Sequence, residues 1–220
     1  MEMLDKLTSE VKRFALENGA RLVGVADAEE LKKVSGDKDP FRLLEDAKAI
    51  VVFAYPLVEA MIAKAPDEQY NRLVELHYQI VREIAYKIAL FIEEKGFRAY
   101  PCHDQGDIEH KRAAELAGLG RVGEHTLLIT PQYECRVHLN SVVTNAPLRI
   151  DERLDTELCD DCGECIRNCP AKAIEGGKKI NVSACRNYRK NVLGRRYCGI
   201  CMKVCWTHFK NLTTSGRLIP

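Results

Sequence analysis

Between residues 159 and 170 the chain reads Cys159-Asp160-Asp161-Cys162-Gly163-Glu164-Cys165-Ile166-Arg167-Asn168-Cys169-Pro170, a C-x2-C-x2-C-x3-C-P run. Cys198, Cys201 and Cys205 answer it downstream as C-x2-C-x3-C, and Cys185 lies between the two groups. Eight cysteines thus fall within 47 residues, the ligand count of two cubane clusters. The spacing is the one that holds [4Fe-4S] centres in two-cluster ferredoxins. Thiolates suit iron because they are soft, charged donors. In such pairs of runs the fourth cysteine of each crosses to the other cluster. On that rule Cys159, Cys162 and Cys165 share one cluster with Cys205, Cys169 joins Cys198 and Cys201 on the other, and Cys185 takes the remaining iron. C-x2-C pairs also build zinc sites, but two overlapping runs with a Cys-Pro end favour iron–sulfur. Two adjacent clusters serve as a wire, since one would suffice as a staple.

Cysteine usage sets this chain apart from a disulfide scaffold, which is short, secreted and evenly dotted with cysteine. Here Cys102 and Cys135 are the only cysteines before residue 159, and both are expected to be buried thiols. With 220 residues and 46% apolar content the chain can bury a core of about 150 residues with a small domain appended. No apolar run reaches the roughly 18 residues of a membrane span, and the start, Met1-Glu2-Met3-Leu4-Asp5-Lys6, lacks the pattern of a signal peptide. A cytoplasmic location without membrane association is expected. The net charge of +1 hides an asymmetry: residues 159–220 hold 12 Lys and Arg against 4 Asp and Glu. Two clusters with four thiolates each, at −2 apiece, would bring that +8 to about +4, so a nucleic-acid partner is permitted but not demanded.

Periodicity supplies the organisation. Leu4, Leu7, Val11 and Phe14 predict an amphipathic helix stopped at Gly19. Residues 21–26 and 47–55 read as strands, the second buried on both faces and ended by Pro56. The longest helix is expected over residues 66–96, with Leu73, Leu76, Ile80, Ile84, Ile88 and Phe91 as its stripe and Gly96 as its cap. Residues 97–100, 126–130 and 137–144 read as strands and 108–117 as a helix. This alternation predicts a layered α/β or α+β domain. A boundary near 147–158 leads to the cysteine-rich part, giving domains 1–150 and 151–220. Gly118-x-Gly120-x-x-Gly123 follows a helical pattern and precedes a strand, so it is no dinucleotide fingerprint, and NAD(P)H is not expected.

The segment from His110 through Ala117-Gly118-Leu119-Gly120-Arg121-Val122-Gly123-Glu124-His125-Thr126-Leu127-Leu128-Ile129-Thr130, with Arg136-Val137-His138-Leu139-Asn140-Ser141-Val142-Val143-Thr144-Asn145-Ala146-Pro147-Leu148, resembles the core of the epoxyqueuosine reductases and related reductive dehalogenases. The cysteine arrangement resembles theirs too, including a lone ligand like Cys185. The resemblance covers residues 100–210 well and residues 1–99 only in the order of elements. It implies an α+β architecture, a nitroreductase-like α/β sandwich that binds cofactor and substrate, followed by a two-cluster bacterial ferredoxin-like domain. It also implies a corrinoid (cobalamin) as active cofactor, with flavin as the alternative, and Asp104 as the acid that gives a proton to substrate. Gly118, Gly120, Arg136, His138, Asn140, Ser141 and Thr144 are the residues expected along the cofactor.

The chain departs from the pattern in three places. It stops about ten residues after the cluster domain, without the helical-repeat domain of the tRNA-acting enzymes. Gly120-Arg121 stands where the family has Gly-Trp, and Gln105-Gly106-Asp107 follows Asp104 in place of Ser-x-Pro. The expected function is an iron–sulfur oxidoreductase that takes electrons from an external low-potential donor and reduces a small substrate at a bound cofactor. The alternative is an electron-transfer accessory protein that reduces a corrinoid enzyme or a flavoprotein partner.

Overall fold

The computed structural model describes residues 2–103 and 106–214, with side chains over residues 4–103 and 106–212. In chain order the elements are α1 (Glu2–Glu17), β1 (Leu22–Asp27), α2 (Ala28–Val34), β2 (Ala49–Pro56), α3 (Glu59–Ala63), α4 (Glu68–Glu94) and β3 (Ala99–Pro101). There follow α5 (His110–Leu116), β4 (Arg121–Val122), β5 (Leu128–Ile129), β6 (Val137–Thr144), α6 (Glu164–Arg167), β7 (Ile174–Gly176) and β8 (Lys179–Ile180). Next come α7 (Val182–Asn187), which runs on into a π-helical turn (Tyr188–Val192), and α8 (Ile200–Thr214). Two compact units emerge, one of Met1–Tyr55, Tyr78–Leu119 and His138–Leu154, the other of Pro56–His77, Gly120–Val137 and Asp155–Pro220.

The first unit is built on a sheet of order β1-β2-β6-β3, in which β1 pairs antiparallel with β2 and β3 with β6. All of Ala49 to Ala54 is buried, as its unbroken apolar run requires of a strand covered on both faces. Ala49, Val51 and Phe53 pack with Val11 and Ala15 of α1 and with Val81, Ile84, Ala85, Ile88 and Ile92 of α4. Phe14 stacks on Phe91 at 4.2 Å between ring centroids. On the opposite face Gly24 lets the chain come close, since a Cβ there would lie 2.7 Å from the Ala117 carbonyl oxygen. The buried face of α4 is turned from the predicted stripe. Tyr70, Val74, His77, Val81, Ile84, Ala85, Ile88, Ala89 and Ile92 are buried, whereas Leu73 and Leu76 are 38% and 48% exposed. Small residues such as Ala85 and Ala89 let the helix lie close to the strands, so the packed face is chosen by fit as well as by hydrophobicity.

Gly118 has φ +68°, and a Cβ there would run into the Glu152 carbonyl oxygen. Gly36 also has positive φ, +58°, but open space around it. Gly36→Ala therefore incurs only the left-handed backbone cost of about 1–2 kcal/mol. Gly118→Ala adds a backbone collision and is expected to lower stability by more than about 2 kcal/mol. Chemical denaturation of the two variants checks this, and equal losses would remove the collision as a cause.

In the second unit α8 is tied to the loop after α3: Lys203 Nζ donates to the carbonyls of Ala63 and Ala65 at 2.8 and 3.0 Å. Asn71 reads the backbone of Tyr197 from both sides, Nδ2 donating to its carbonyl at 3.0 Å and Oδ1 accepting from its N–H at 2.9 Å. These bonds fix the chain on either side of Cys198 and Cys201. Among the described residues no helix is long and apolar enough to cross a membrane.

Candidate iron–sulfur centres

Short local elements position the cysteines. Cys165 lies on α6, Cys185 on α7, and Cys201 and Cys205 one turn apart on α8. Cys159, Cys162, Cys169 and Cys198 occupy the loops before and between these elements. None of the ten cysteines forms a disulfide, and Cys102 and Cys135 are both buried, as expected.

The thiols fall into two electrostatic sets. Cys165 feels Cys205, Cys159 and Cys162, and Cys159 and Cys162 each feel Cys205. Separately, Cys201 feels Cys198, Cys185 and Cys169, and Cys198 feels Cys185 and Cys169. Burial followed by these neighbours pushes the Cys165 and Cys201 thiols up to about 12. Burial likewise raises Cys159, Cys162 and Cys198. Cys205 is raised by its bond with Cys135 and then by burial. Four like charges gathered in a low dielectric repel one another, and a cation among them removes that penalty.

Main-chain N–H groups oppose the rise. Glu124 and Asp161 donate to Cys159, Glu164 to Cys162, Ile166 to Cys165, Ile200 to Cys198 and Met202 to Cys201. The Ala173 N–H reaches Cys169 Sγ at 3.3 Å. N–H groups aimed at sulfur favour thiolate and tune a bound cluster. Cys159, Cys162, Cys165 and Cys205 line one pocket, together with Glu124, His125, Asp160, His208 and Phe209. A soft four-thiol donor set with backbone N–H groups on the sulfurs fits an iron–sulfur cluster.

Several residues at this centre carried no assignment from the sequence. His125, Cys135 and Cys205 place ligand atoms within 4.8 Å of one another, as do Asp160, Cys162 and His208. The tight turn between β4 and β5, closed by the Gly123 N–H on the Leu127 carbonyl at 3.0 Å, carries Glu124 and His125 to the thiols. His125 Nδ1 accepts from the Leu127 N–H at 3.1 Å. His208 Nε2 meets the Asp160 carboxylate at 2.6 Å. Burial alone would raise Asp160, but that bond and the imidazole charge win, and its carboxyl is held below the usual range. A usable signal existed for His208, which follows Cys205 by three residues and so shares its face of α8. Nothing in the local pattern marked His125 or Cys135.

The residues expected along a corrinoid are placed as follows. Asn140, Ser141 and Thr144 are fully buried. The Asn140 amide takes the Ser141 N–H at 2.8 Å, and Ser141 Oγ pairs with His110 Nδ1 at 2.9 Å. Thr144 Oγ1 donates to the Arg98 carbonyl at 2.8 Å. His138 stacks on Tyr78 with ring centroids 4.5 Å apart. Arg136 donates to the Leu57 carbonyl and to Glu134, both at 3.1 Å. Gly118 meets Glu152, and a Cβ on Gly120 would run into the Ile129 carbonyl. Asp104 lies outside the described residues; beside it, the His103 N–H donates to Asp107 at 2.7 Å and the His103 carbonyl meets His110 Nε2 at 3.1 Å.

Comparison with known proteins agrees with the cysteine pattern. Residues 152–175 match the family model for a 4Fe-4S binding domain. The chain is 31% identical over 144 residues to the epoxyqueuosine reductase of Listeria monocytogenes, covering 59% of this chain and 38% of that one. It is 33% identical over 138 residues to a tetrachloroethene reductive dehalogenase of Desulfitobacterium hafniense, covering 61% and 25%. The chain thus spans well under two thirds of these relatives' lengths. Among solved structures, a catabolic reductive dehalogenase superposes with a TM-score of 0.79 at 23% identity over 92% of this chain and 32% of its own. Epoxyqueuosine reductase from Streptococcus thermophilus gives 0.68 at 20% identity, over 91% and 65%. The fold is the mixed α/β architecture, nitroreductase-like plus ferredoxin-like, that the sequence led us to expect.

Proposed function

We propose that the chain is a redox protein of the epoxyqueuosine reductase and reductive dehalogenase-like kind, relaying electrons through two [4Fe-4S] clusters, a reading supported by its similarity to those proteins and by the matched 4Fe-4S binding domain. Cys159, Cys162, Cys165 and Cys205 would hold one, and Cys169, Cys185, Cys198 and Cys201 the other. The observation that carries this reading is the gathering of eight thiols, from two runs and a lone Cys185, into two sets of four, the first of them lining one pocket. When bound, such clusters supply single electrons at low potential. In this reading residues 151–220 serve the clusters, residues 1–150 serve cofactor and substrate, and the protein works in the cytoplasm, where thiolate ligands stay reduced.

The cofactor of the first domain is proposed to be a corrinoid, with a small electrophile as substrate. This is supported by the central segment that resembles the family and by a related dehalogenase structure described in terms of B12-dependent dehalogenation. A related epoxyqueuosine reductase has been crystallised with a tRNA stem loop, so a nucleic-acid substrate is the alternative for this site. The side chains of Asn140, Ser141 and Thr144 are bonded to the chain itself. Any fit to a corrinoid therefore rests on backbone shape rather than on these side chains. That same engagement favours a second reading, an accessory protein that passes electrons to a corrinoid enzyme or flavoprotein.

One titration separates the two. Cobalamin added to cluster-reconstituted protein under reducing conditions, with flavin in parallel, is expected to bind tightly and change its visible spectrum. Binding of neither cofactor, with electrons accepted by a separate corrinoid protein or flavoprotein, would establish the accessory role.

A further inference from the structure

From Gly176 to Pro220 the chain contains ten Lys and Arg and not one Asp or Glu. Half of these cations fall between two expected ligands of one cluster, Cys185 and Cys198. The fold gathers them. Arg186 on α7 and Lys190 on the π-helical turn are four residues apart on one continuous helical run, and side chains at that spacing are neighbours. The Asn191 amide, which reaches Asn187 at 2.6 Å, shows the same spacing closed by a bond. The following loop is folded back on this turn: the Arg195 N–H donates to the Arg189 carbonyl at 2.9 Å, and Arg189 Nη1 donates to the Arg196 carbonyl at 2.6 Å. The fold-back thus brings Arg196 beside the turn that carries Arg186, Arg189 and Lys190.

These basic residues lie next to the thiols. Arg186, Lys190 and Arg196 are exposed, while Cys185 and Cys198 are half-buried. Arg186 and Lys190 enter no ion pair among the described residues. By contrast, Arg195 pairs with Glu68, Lys178 with Glu157 and Lys210 with Glu59. Arg189 is the inward member, its charge acting on the Cys198 thiol. At the edge Val192 is 67% exposed, an apolar contact within a charged ring. π-Helical turns of this kind recur at functional sites.

We propose that the face formed by Arg186, Arg189, Lys190 and Arg196 around Cys185 and Cys198 is the docking surface for an acidic one-electron carrier protein, through which electrons enter the cluster those cysteines hold. The proposal rests on the two-cluster reading above. Weak electron-transfer encounters bury little area and rely on complementary charge to steer and orient. A cluster of cations over half-buried ligands, with Arg186 and Lys190 exposed at its surface, has that form. Single-stranded nucleic acid would require exposed aromatic rings on which bases stack. Here Tyr197 is buried, Tyr188 is half-buried, and the exposed apolar side chain is aliphatic.

The test uses flavodoxin hydroquinone, an acidic flavin carrier, mixed in stopped flow with the oxidised cluster-loaded protein. For the wild type, the second-order rate of cluster bleaching should fall steeply with salt. Arg186→Glu with Lys190→Glu should lower that rate about tenfold or more at low ionic strength. The difference should close in 1 M salt, where the Debye length is about 3 Å. The milder Arg186→Gln with Lys190→Gln pair should fall between, and guards against misfolding of the charge reversal. Lys6→Glu with Arg21→Glu, the same charge change on the first unit, should leave the rate within about twofold of wild type. A rate indifferent to both salt and the Arg186 and Lys190 changes overturns the proposal, as does loss of affinity for an RNA stem loop with no change in flavodoxin rate. Photoreduction with 5-deazaflavin separates this failure from the deeper one. If it bleaches clusters in all variants, the two-cluster reading stands; if it bleaches none, that reading falls first.

Discussion

Cys205→Ala is expected to reduce iron and acid-labile sulfide from about eight of each per chain to about four, the content of a single cluster. Cys205 is the member of its set contributed by α8, while Cys159, Cys162 and Cys165 come from the first run. Without it three thiols of that set remain, and α8 keeps only its Cys201 link to the first cysteine run. Because Cys205 and Cys169 each cross between runs, either substitution should disturb both halves of the domain, visible as altered spectra of the surviving cluster. The structure adds a control. Cys135 and His125 lie within reach of the same position, so the double variant Cys205→Ala with Cys135→Ala should be measured beside the single one. Iron retained near eight in the single and lost only in the double would reassign the fourth ligand to Cys135. Zinc in place of iron in the wild type would sink the cluster reading altogether.

Asp104→Asn is expected to slow turnover by about a hundredfold or more, the usual contribution of a placed general acid, while leaving iron content unchanged. The expectation follows from the corrinoid reading and from the acid that the family keeps at this point of its sequence. A related epoxyqueuosine reductase has been crystallised with its catalytic loop swung out of the active site. In this chain His103, the residue before Asp104, is joined to Asp107 and His110 by hydrogen bonds. Epoxyqueuosine and tetrachloroethene, the substrates in the relatives' names, serve as the two probes with cobalamin-loaded protein. Asp104→Glu should recover part of the rate, because it keeps the proton. If Asp104→Asn turns over as fast as the wild type, Asp104 is an ordinary loop acid.

Along the chain, whatever is local could be read before any fold was known. C-x2-C spacing is ligand geometry written in consecutive residues, so the cluster cysteines could be read without a fold. The same holds for α1, whose apolar residues recur at helical spacing, and for β2, whose unbroken apolar run has no exposed face to spare. Whatever depends on distant segments meeting became visible in the folded chain alone. The covered face of α4 was set by which side fits the sheet, with Ala85 and Ala89 buried and Leu73 and Leu76 left outside. Asn140, Ser141 and Thr144 were expected along the cofactor from the family resemblance alone. The fold brings Arg98 and His110 to bond two of them, and Asn140 accepts the neighbouring Ser141 N–H. His125 and Cys135 had no spacing to betray them. They stand beside Cys205 because the turn between β4 and β5 and the chain before β6 reach α8, some 70 to 80 residues further on. The grouping of Arg186, Lys190 and Arg196 was half visible as composition, but its meaning came from the loop folded back on the π-helical turn. Ligand identity is a property of short spacing; the neighbours that tune, cover and address a centre are a property of chain path.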